Sequence, residues 1–369
     1  MPALQGILSA LSAILVTLNA LYLEQPASTP PITGIFNATT TEPLAPPLEP
    51  VALPAVVTPV TISIPEAPRP QTGGLAPSPL LEALLPTAPS TALGRSLARL
   101  SGAIVNIICT STDPAVRSMS GSGVLFDPKG LILTNSHIAQ YYLLDAVMPD
   151  RIACTIRTGS PAQAAYIAAP AYVSSQWMRD NPGTLTAASP RGTGEHDFAV
   201  LAITGSATDA PLPASFPYLP LTDGEPEIKD EVAVGSYGAQ SLTSTEIRNA
   251  LYPTLAFAKV KDVYTFEGHT VDLIAMTGSV AAQVGSSGGG VADAEGNLVG
   301  VITTSTNSGD LLSRTLRAIT IDHIRRSFEE DSEEDFDTYF KRGNVSSFVR
   351  VFVDDAEEMG VVLKKDIGR

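Results

Sequence analysis

Cysteine, histidine and aromatic residues are all scarce in this chain. Two cysteines, Cys109 and Cys154, among 369 residues exclude a disulfide-dense scaffold and a multi-cysteine zinc site. Four histidines are too few for a His-rich metal cluster, and no metal site is expected. Aromatics at 6% with a single tryptophan mean that any core is mostly aliphatic. Basic residues are also in deficit: 23 Lys and Arg stand against 38 Asp and Glu, a net charge of −15. That balance excludes nucleic acid and makes an anionic membrane surface a poor partner. Charged residues amount to 17%, below the globular average of about 25%. Hydrophobics at 44% are enough to build a core, which rules out wholesale disorder. The 29 glycines and 30 prolines favour turns and β structure over long helices.

Residues 3–23, ALQGILSALSAILVTLNALYL, carry no charge until Glu24. As a helix they extend about 32 Å, enough for a hydrocarbon core of about 30 Å. Residues 1–24 therefore read as an uncleaved transmembrane signal anchor or as a cleaved signal peptide, with a buried globular helix as a third reading. The apolar run exceeds the usual signal core of about 7–15 residues, and Leu18-Asn19-Ala20 is a weak cleavage site. The first basic residue is Arg69, so flanking charge does not set an orientation. Residues 25–90 hold 16 of the 30 prolines and read as a disordered linker, part polyproline II and part coil. Such a coil spans on the order of 45 Å.

Residues 91–330 have the pattern of a β domain. Short runs rich in β-branched residues recur between Gly, Pro and Asp turns, among them AIVNIICTS (103–111), GVLFDPKGLILT (123–134), FAVLAIT (198–204), DEVAVGSY (230–237) and NLVGVITT (297–304). Asp127-Pro128-Lys129-Gly130 signals a hairpin. IDHIRRSFEE (321–330) is helical in pattern, with Ile321, Ile324 and Phe328 on one face. Residues 331–369 form an acidic extension. The run from Glu329 to Asp335 reads as a solvated segment. The stretch VSSFVRVFVDDAEEMGVVL is apolar enough to pack, as a small appendage or as a helix on the domain.

Three short segments carry chemistry. In GSSGGG (285–290), glycines allow backbone N–H groups to turn toward one point. Ser287 is the candidate nucleophile, and the N–H groups of Gly285 and Ser287 are the candidate oxyanion donors. In LILTNSHIA (131–139), His137 follows an apolar run and precedes a short helix, QYYLLDAV (140–147), a placement suited to a general base. EHDFAVLAI (195–203) supplies Asp197 immediately before an apolar strand, where a carboxylate can orient an imidazole. His196, His269 and His323 have no such context. The order His, Asp, Ser, with separations of 60 and 90 residues, is the one found in chymotrypsin and not in subtilisin or the α/β-hydrolases.

The segments Thr134-Asn135-Ser136-His137-Ile138-Ala139, Asp197-Phe198-Ala199-Val200-Leu201 and Gly285-Ser286-Ser287-Gly288-Gly289 resemble the trypsin-like serine proteases, most of all the bacterial HtrA-type branch. Ser120-Gly121-Ser122-Gly123-Val124 followed by Gly130-Leu131-Ile132-Leu133-Thr134 is similar to the strand pair before the histidine in that branch. The resemblance covers about residues 95–330. It implies an all-β, chymotrypsin-like fold of two six-stranded antiparallel β-barrels; the C-terminal helix after them and the hydrophobic helix and Pro-rich linker before are read from the residues themselves. His137 and Asp197 then come from the first barrel and Ser287 from the second, acting on protein or peptide substrates without a cofactor. Ala281, six residues before the serine, falls where trypsins carry an acidic residue, so a basic side chain at the cleaved position is not expected. Ala282 and Ile302 fall where glutamate-specific relatives carry polar groups. Thr303, Thr304 and Ser305 fall on the strand edge that pairs with substrate backbone. Small or medium apolar side chains are therefore expected at the cleaved position.

The chain also departs from the pattern. YVSSQWMRDNPGTLTAASPRGTGE (172–195) reads as an inserted loop near the cleft rim and carries the only tryptophan, Trp177. About 40 residues remain after the barrels, so no PDZ domain is expected, and an Ile-Val-Gly-Gly activation sequence is absent. By family analogy the first and fourth strands are neighbours. Cys109 and Cys154 then pair as a disulfide, the alternative being two buried thiols. The expectation is an exported serine endopeptidase, membrane-anchored on the periplasmic or extracellular side, or secreted if residues 1–24 are cleaved. Its rivals are a non-catalytic binding protein on a protease fold and an esterase of the α/β-hydrolase type. The esterase needs a histidine after the serine, and only His323 qualifies.

Overall fold

The computed structural model describes residues 91–187, 194–240, 242–266, 268–277, 282–305 and 315–368. The segment 1–24 and the linker 25–90 lie outside the described residues. Among the described residues, no helix is long and apolar enough to cross a membrane.

Two closed antiparallel barrels of six strands each form the body of the chain. Helix α1 (Thr91–Ala103) leads in. The first barrel contains β1 (Ile104–Ser111), β2 (Met119–Asp127), β3 (Leu131–Thr134), helix α2 (Ser136–Val147), β4 (Ile152–Thr158), β5 (Gln163–Val173), helix α3 (Ser175–Asp180) and β6 (Ala199–Ser206). Its strands close in the order β1-β2-β3-β6-β5-β4. The second contains β7 (Glu231–Ser236), helix α4 (Ser244–Asn249), β8 (Thr254–Tyr264), β9 (Leu273–Thr277), β10 (Gly290–Ala292), β11 (Leu298–Ser305) and β12 (Thr315–Thr320), closing as β10-β11-β12-β9-β8-β7. Helices α5 (Ile321–Ser332), α6 (Phe336–Arg342) and α7 (Val345–Asp366) follow.

Local chemistry accounts for several of these elements. At the β2–β3 hairpin, Asp127 Oδ1 accepts from Lys129 N at 2.7 Å and Gly130 takes φ 97°, a conformation that favours glycine. Helix α5 buries Ile321, Ile324 and Phe328 as its periodicity predicts. The apolar stretch near the C-terminus is resolved as a helix on the domain. Asn344 and Ser347 form a capping box for α7, which buries Phe348, Phe352, Ala356 and Leu363 on one face. Each large apolar side chain so buried contributes roughly 1.5–3 kcal/mol. Gly360 sits on the same face, where a Cβ would lie 2.6 Å from the Leu143 carbonyl, so glycine sets the close approach of α7 to α2. With α7 laid over β5 and β6, β6 is covered on both faces, which explains its unbroken apolar run from Ala199 to Ile203.

Two expectations are revised. The acidic run is not simply solvated: Asp331 accepts from Tyr172 Oη at 2.8 Å and Ser175 N at 3.0 Å, and Asp335 caps α6 by accepting from Thr338 N at 2.7 Å. The helix after β3 starts at Ser136 rather than at Gln140, because Asn135 is extended and its carbonyl already accepts from Ile138 and Ala139. Cys109 faces Cys154 across the β1–β4 pair, and the two form a disulfide.

Candidate active site

His137 occupies the first turn of α2, directly after the strand β3 that is buried at all four positions. Asp197 ends a tight loop in which His196 holds φ 55° and Phe198 N donates to the His196 carbonyl at 2.8 Å. The Asn135 amide donates to the Asp197 carbonyl at 2.8 Å and Ser136 Oγ to the Phe198 carbonyl at 2.6 Å, so the two segments are stitched together. Asp197 then brackets His137: Oδ1 accepts from His137 N at 3.0 Å, and Oδ2 pairs with His137 Nδ1 at 2.8 Å. Oδ2 also accepts from Thr303 Oγ1 at 3.0 Å. The Asp197 side chain is 7% exposed, and these three donors compensate its burial. Burial pulls the pKa of His137 down, but the charge of Asp197 and its hydrogen bond outweigh that, and the net shift is upward from 6.5.

Ser287 lies in the turn between β9 and β10. Gly285 at φ 93° and Gly288 at φ 83° give the turn its shape, with Ser286 N donating to the Gln283 carbonyl and Gly289 N to the Ser286 carbonyl. A Cβ at Gly288 would meet the Ser122 carbonyl at 1.9 Å and Thr134 Oγ1 at 2.5 Å. This glycine therefore lets the serine turn of the second barrel touch the strands that lead to His137. Ser122 is the tie between them. Its N–H donates to the Ser287 carbonyl at 2.8 Å, its Oγ donates to the Gly285 carbonyl at 2.8 Å, and it accepts from Tyr237 N at 2.8 Å. Among the described residues, the N–H groups of Gly285 and Ser287 donate to no backbone carbonyl.

The Ser287 hydroxyl donates to the Thr303 carbonyl at 3.3 Å, and no hydrogen bond joins it to His137. Thr303 thus touches both ends of the constellation, its hydroxyl on Asp197 and its carbonyl on Ser287. Sequence reasoning assigned Thr303 to substrate contact only; the residue is 3% exposed and its hydroxyl donates to Asp197. Thr304 and Ser305 lie on β11 and pair with Arg317 and Leu316 of β12. On the other side β10 reaches only as far as Val301, leaving that edge of β11 unpaired by any described strand. Ala281 lies outside the described residues, while Ala282 and Ile302 are buried. The inserted segment contributes α3, whose Trp177 is buried and lines a groove against α7. Ser122 was the position missed, and Thr303 was named without its contact to Asp197; the SGSGV run contains Ser122, but nothing in it marks that residue as the contact to the serine turn. Among the described residues, no group of His, Cys, Asp and Glu is arranged to hold a metal ion.

Closed barrels paired in this way, with a serine turn from one meeting a His–Asp pair from the other, define the class of trypsin-like serine peptidases. Residues 121–301 match the family described as trypsin-like peptidase domain, and the chain carries such a domain. Similar solved structures include a serine-to-alanine mutant of Rv3671c from M. tuberculosis H37Rv in its inactive form, at 17% identity and a TM-score of 0.41, covering 67% of this chain and 96% of that one. The active form of that protease gives 16% identity and a TM-score of 0.40 over 70% of this chain and 93% of that one. A serine endoprotease from Yersinia pestis gives 19% and 0.41, over 67% and 68%. No curated protein sequence matches.

Proposed function

We propose that the chain is a serine endopeptidase acting through His137, Asp197 and Ser287. The Ser287 hydroxyl attacks a peptide carbonyl while His137 Nε2 takes its proton. Asp197 holds the proton on Nδ1 and stabilises the imidazolium. The developing oxyanion sits against the N–H groups of Gly285 and Ser287, each such donor being worth about 3–4 kcal/mol. His137 then protonates the departing amine. An acyl-enzyme remains on Ser287, and water attacks it with His137 again as base. The observation that carries this reading is the bracketing of His137 by both oxygens of a buried Asp197, at 3.0 and 2.8 Å. A structural histidine needs no such tautomer control.

The edge of β11 at Thr304 and Ser305, unpaired by any described strand, supports backbone pairing with substrate. Ala282 and Ile302, apolar where glutamate-specific relatives carry polar groups, support small or medium apolar side chains at the cleaved position. The uncharged stretch 3–23 supports export, with tethering to a membrane if it is retained and secretion if it is removed. The Ser287–Thr303 hydrogen bond favours a second reading, a binding protein on the protease fold, in which the hydroxyl is never activated.

A fluorophosphonate probe separates the two. Labelling of the wild type that is lost in both Ser287→Ala and His137→Ala is the expected result. Labelling that persists in Ser287→Ala refutes the nucleophile, and a folded wild type that is never labelled supports the binding protein.

A further inference from the structure

Two parts of the chain stand outside the protease pattern: the insert after β5 and the extension after α5. The structure brings them together. Helix α3 of the insert and the C-terminal half of α7 form the two walls of a groove of about 340 Å³. Trp177 and Met178 line it from α3, Met359 and Val362 from α7. Both methionines are half-buried, and unbranched thioethers of this kind adapt to varied apolar partners. Val362 is 50% exposed, so apolar surface is left for a ligand to cover.

The groove is also charged in one sense. Asp355, Glu358 and Asp366 stand on its α7 wall, on the same face as Met359 and Val362. None of the three carboxylates has a hydrogen-bond or ion-pair partner among the described residues. The cation on the rim is Arg179, and it is already committed: Nη1 donates to Ser175 Oγ at 2.8 Å and Nη2 to Gln176 Oε1 at 2.7 Å, with Asp331 at 3.8 Å. A second copy of a chain with net charge −15 is a poor occupant.

Gln140 lines the groove and lies three residues, about 4.5 Å of helical rise, beyond His137. The Gln140 amide nitrogen donates to the His137 carbonyl at 2.8 Å, and its oxygen accepts from Thr184 of the insert at 3.1 Å. One end of the groove is thereby tied to the turn of α2 that carries His137.

We infer that the groove between α3 and α7 is an exosite for a stretch of the polypeptide substrate in which basic and apolar residues alternate. This rests on the protease reading. The apolar side chains pack on Met178, Met359 and Val362, while the cations pair with Asp355, Glu358 and Asp366.

The full chain carrying Ser287→Ala permits a binding test without turnover, and Trp177, as the single tryptophan, reports from the groove. The probe is the peptide acetyl-Leu-Arg-Leu-Lys-Leu-amide. A saturable change in Trp177 fluorescence is expected, with affinity about tenfold weaker when Asp355→Asn, Glu358→Gln and Asp366→Asn are combined. No saturable change, equal affinity in the triple variant, or equal affinity for a peptide with Glu in place of Arg and Lys overturns the exosite. With active enzyme, appending the same sequence to a short peptide substrate is expected to raise kcat/KM about tenfold, and the triple variant to erase that ratio. A wild type that cleaves both substrates equally well overturns the exosite and leaves the protease standing. A wild type that cleaves neither and takes no fluorophosphonate overturns the protease reading, and with it the assignment of the groove to substrate.

Discussion

Ser122→Ala tests the contact between the barrels on which the site depends. The hydroxyl of Ser122 is fully buried, donates to the Gly285 carbonyl and accepts from Tyr237 N, each at 2.8 Å. Alanine removes both bonds and leaves a buried carbonyl and a buried N–H unpaired. Each such group costs about 1–3 kcal/mol, and partial relaxation gives a net loss of about 2–4 kcal/mol. Ser120→Ala is the control. Ser120 accepts from the Asn106 amide at 3.0 Å, but that amide keeps the Gly121 carbonyl at 2.7 Å, so less than about 1 kcal/mol is expected. Urea unfolding followed by Trp177 fluorescence measures both, with the m-value checked for constancy. Catalysis is expected to respond too, because Gly285, which carries one of the proposed oxyanion donors, loses its anchor. Fluorophosphonate labelling is expected to slow at least about tenfold. Equal unfolding midpoints for the two variants, or undiminished labelling in Ser122→Ala, refute the idea that this hydroxyl holds the serine turn.

Three further outcomes follow from the same geometry. Replacing Cys109 and Cys154 by alanine opens a loop spanning 45 positions, and a loss of up to roughly 4 kcal/mol is expected; unchanged thermal stability after reduction contradicts it. The pKa of His323 is pushed down to about 4 by burial, which outweighs the attraction of Asp272, with His196 and Arg326 adding to the depression. Its neutral form therefore contributes stability that is complete above 6.5 and is lost as pH falls toward about 4, roughly 3 kcal/mol in all; urea midpoints that do not move across that window exclude this. His137 must be neutral to act as base and its pKa is raised, so the acid limb of kcat/KM is expected to inflect above 6.5, and an inflection below that value argues against His137 as base.

The three side chains proposed for the reaction stood out in the sequence because each sits in a local pattern with a physical cause. Apolar runs before His137 and after Asp197 mark buried strands, and glycines around Ser287 mark a turn that a Cβ would obstruct. Ile321, Ile324 and Phe328 were legible as a helical face for the same reason. The resemblance carried the barrel closure and the pairing of Cys109 with Cys154, since strand order is not contained in local periodicity. Ser122, and the contact of Thr303 with Asp197, escaped because a buried hydroxyl is chosen by what lies opposite it, and those partners stand 163 and 106 positions away along the chain.

The amino-acid sequence by itself determined which residues can do chemistry and which segments form strands or helices, because those properties follow from side-chain type and spacing over a few residues. Only the tertiary structure decided that α7 lies on β5 and β6, and that Asp331 serves Tyr172 and Ser175 instead of water. It also decided that the insert and the C-terminal helix share a groove beside His137. Those outcomes depend on complementary surfaces meeting across long stretches of chain, and no short window of sequence holds both halves of such a contact.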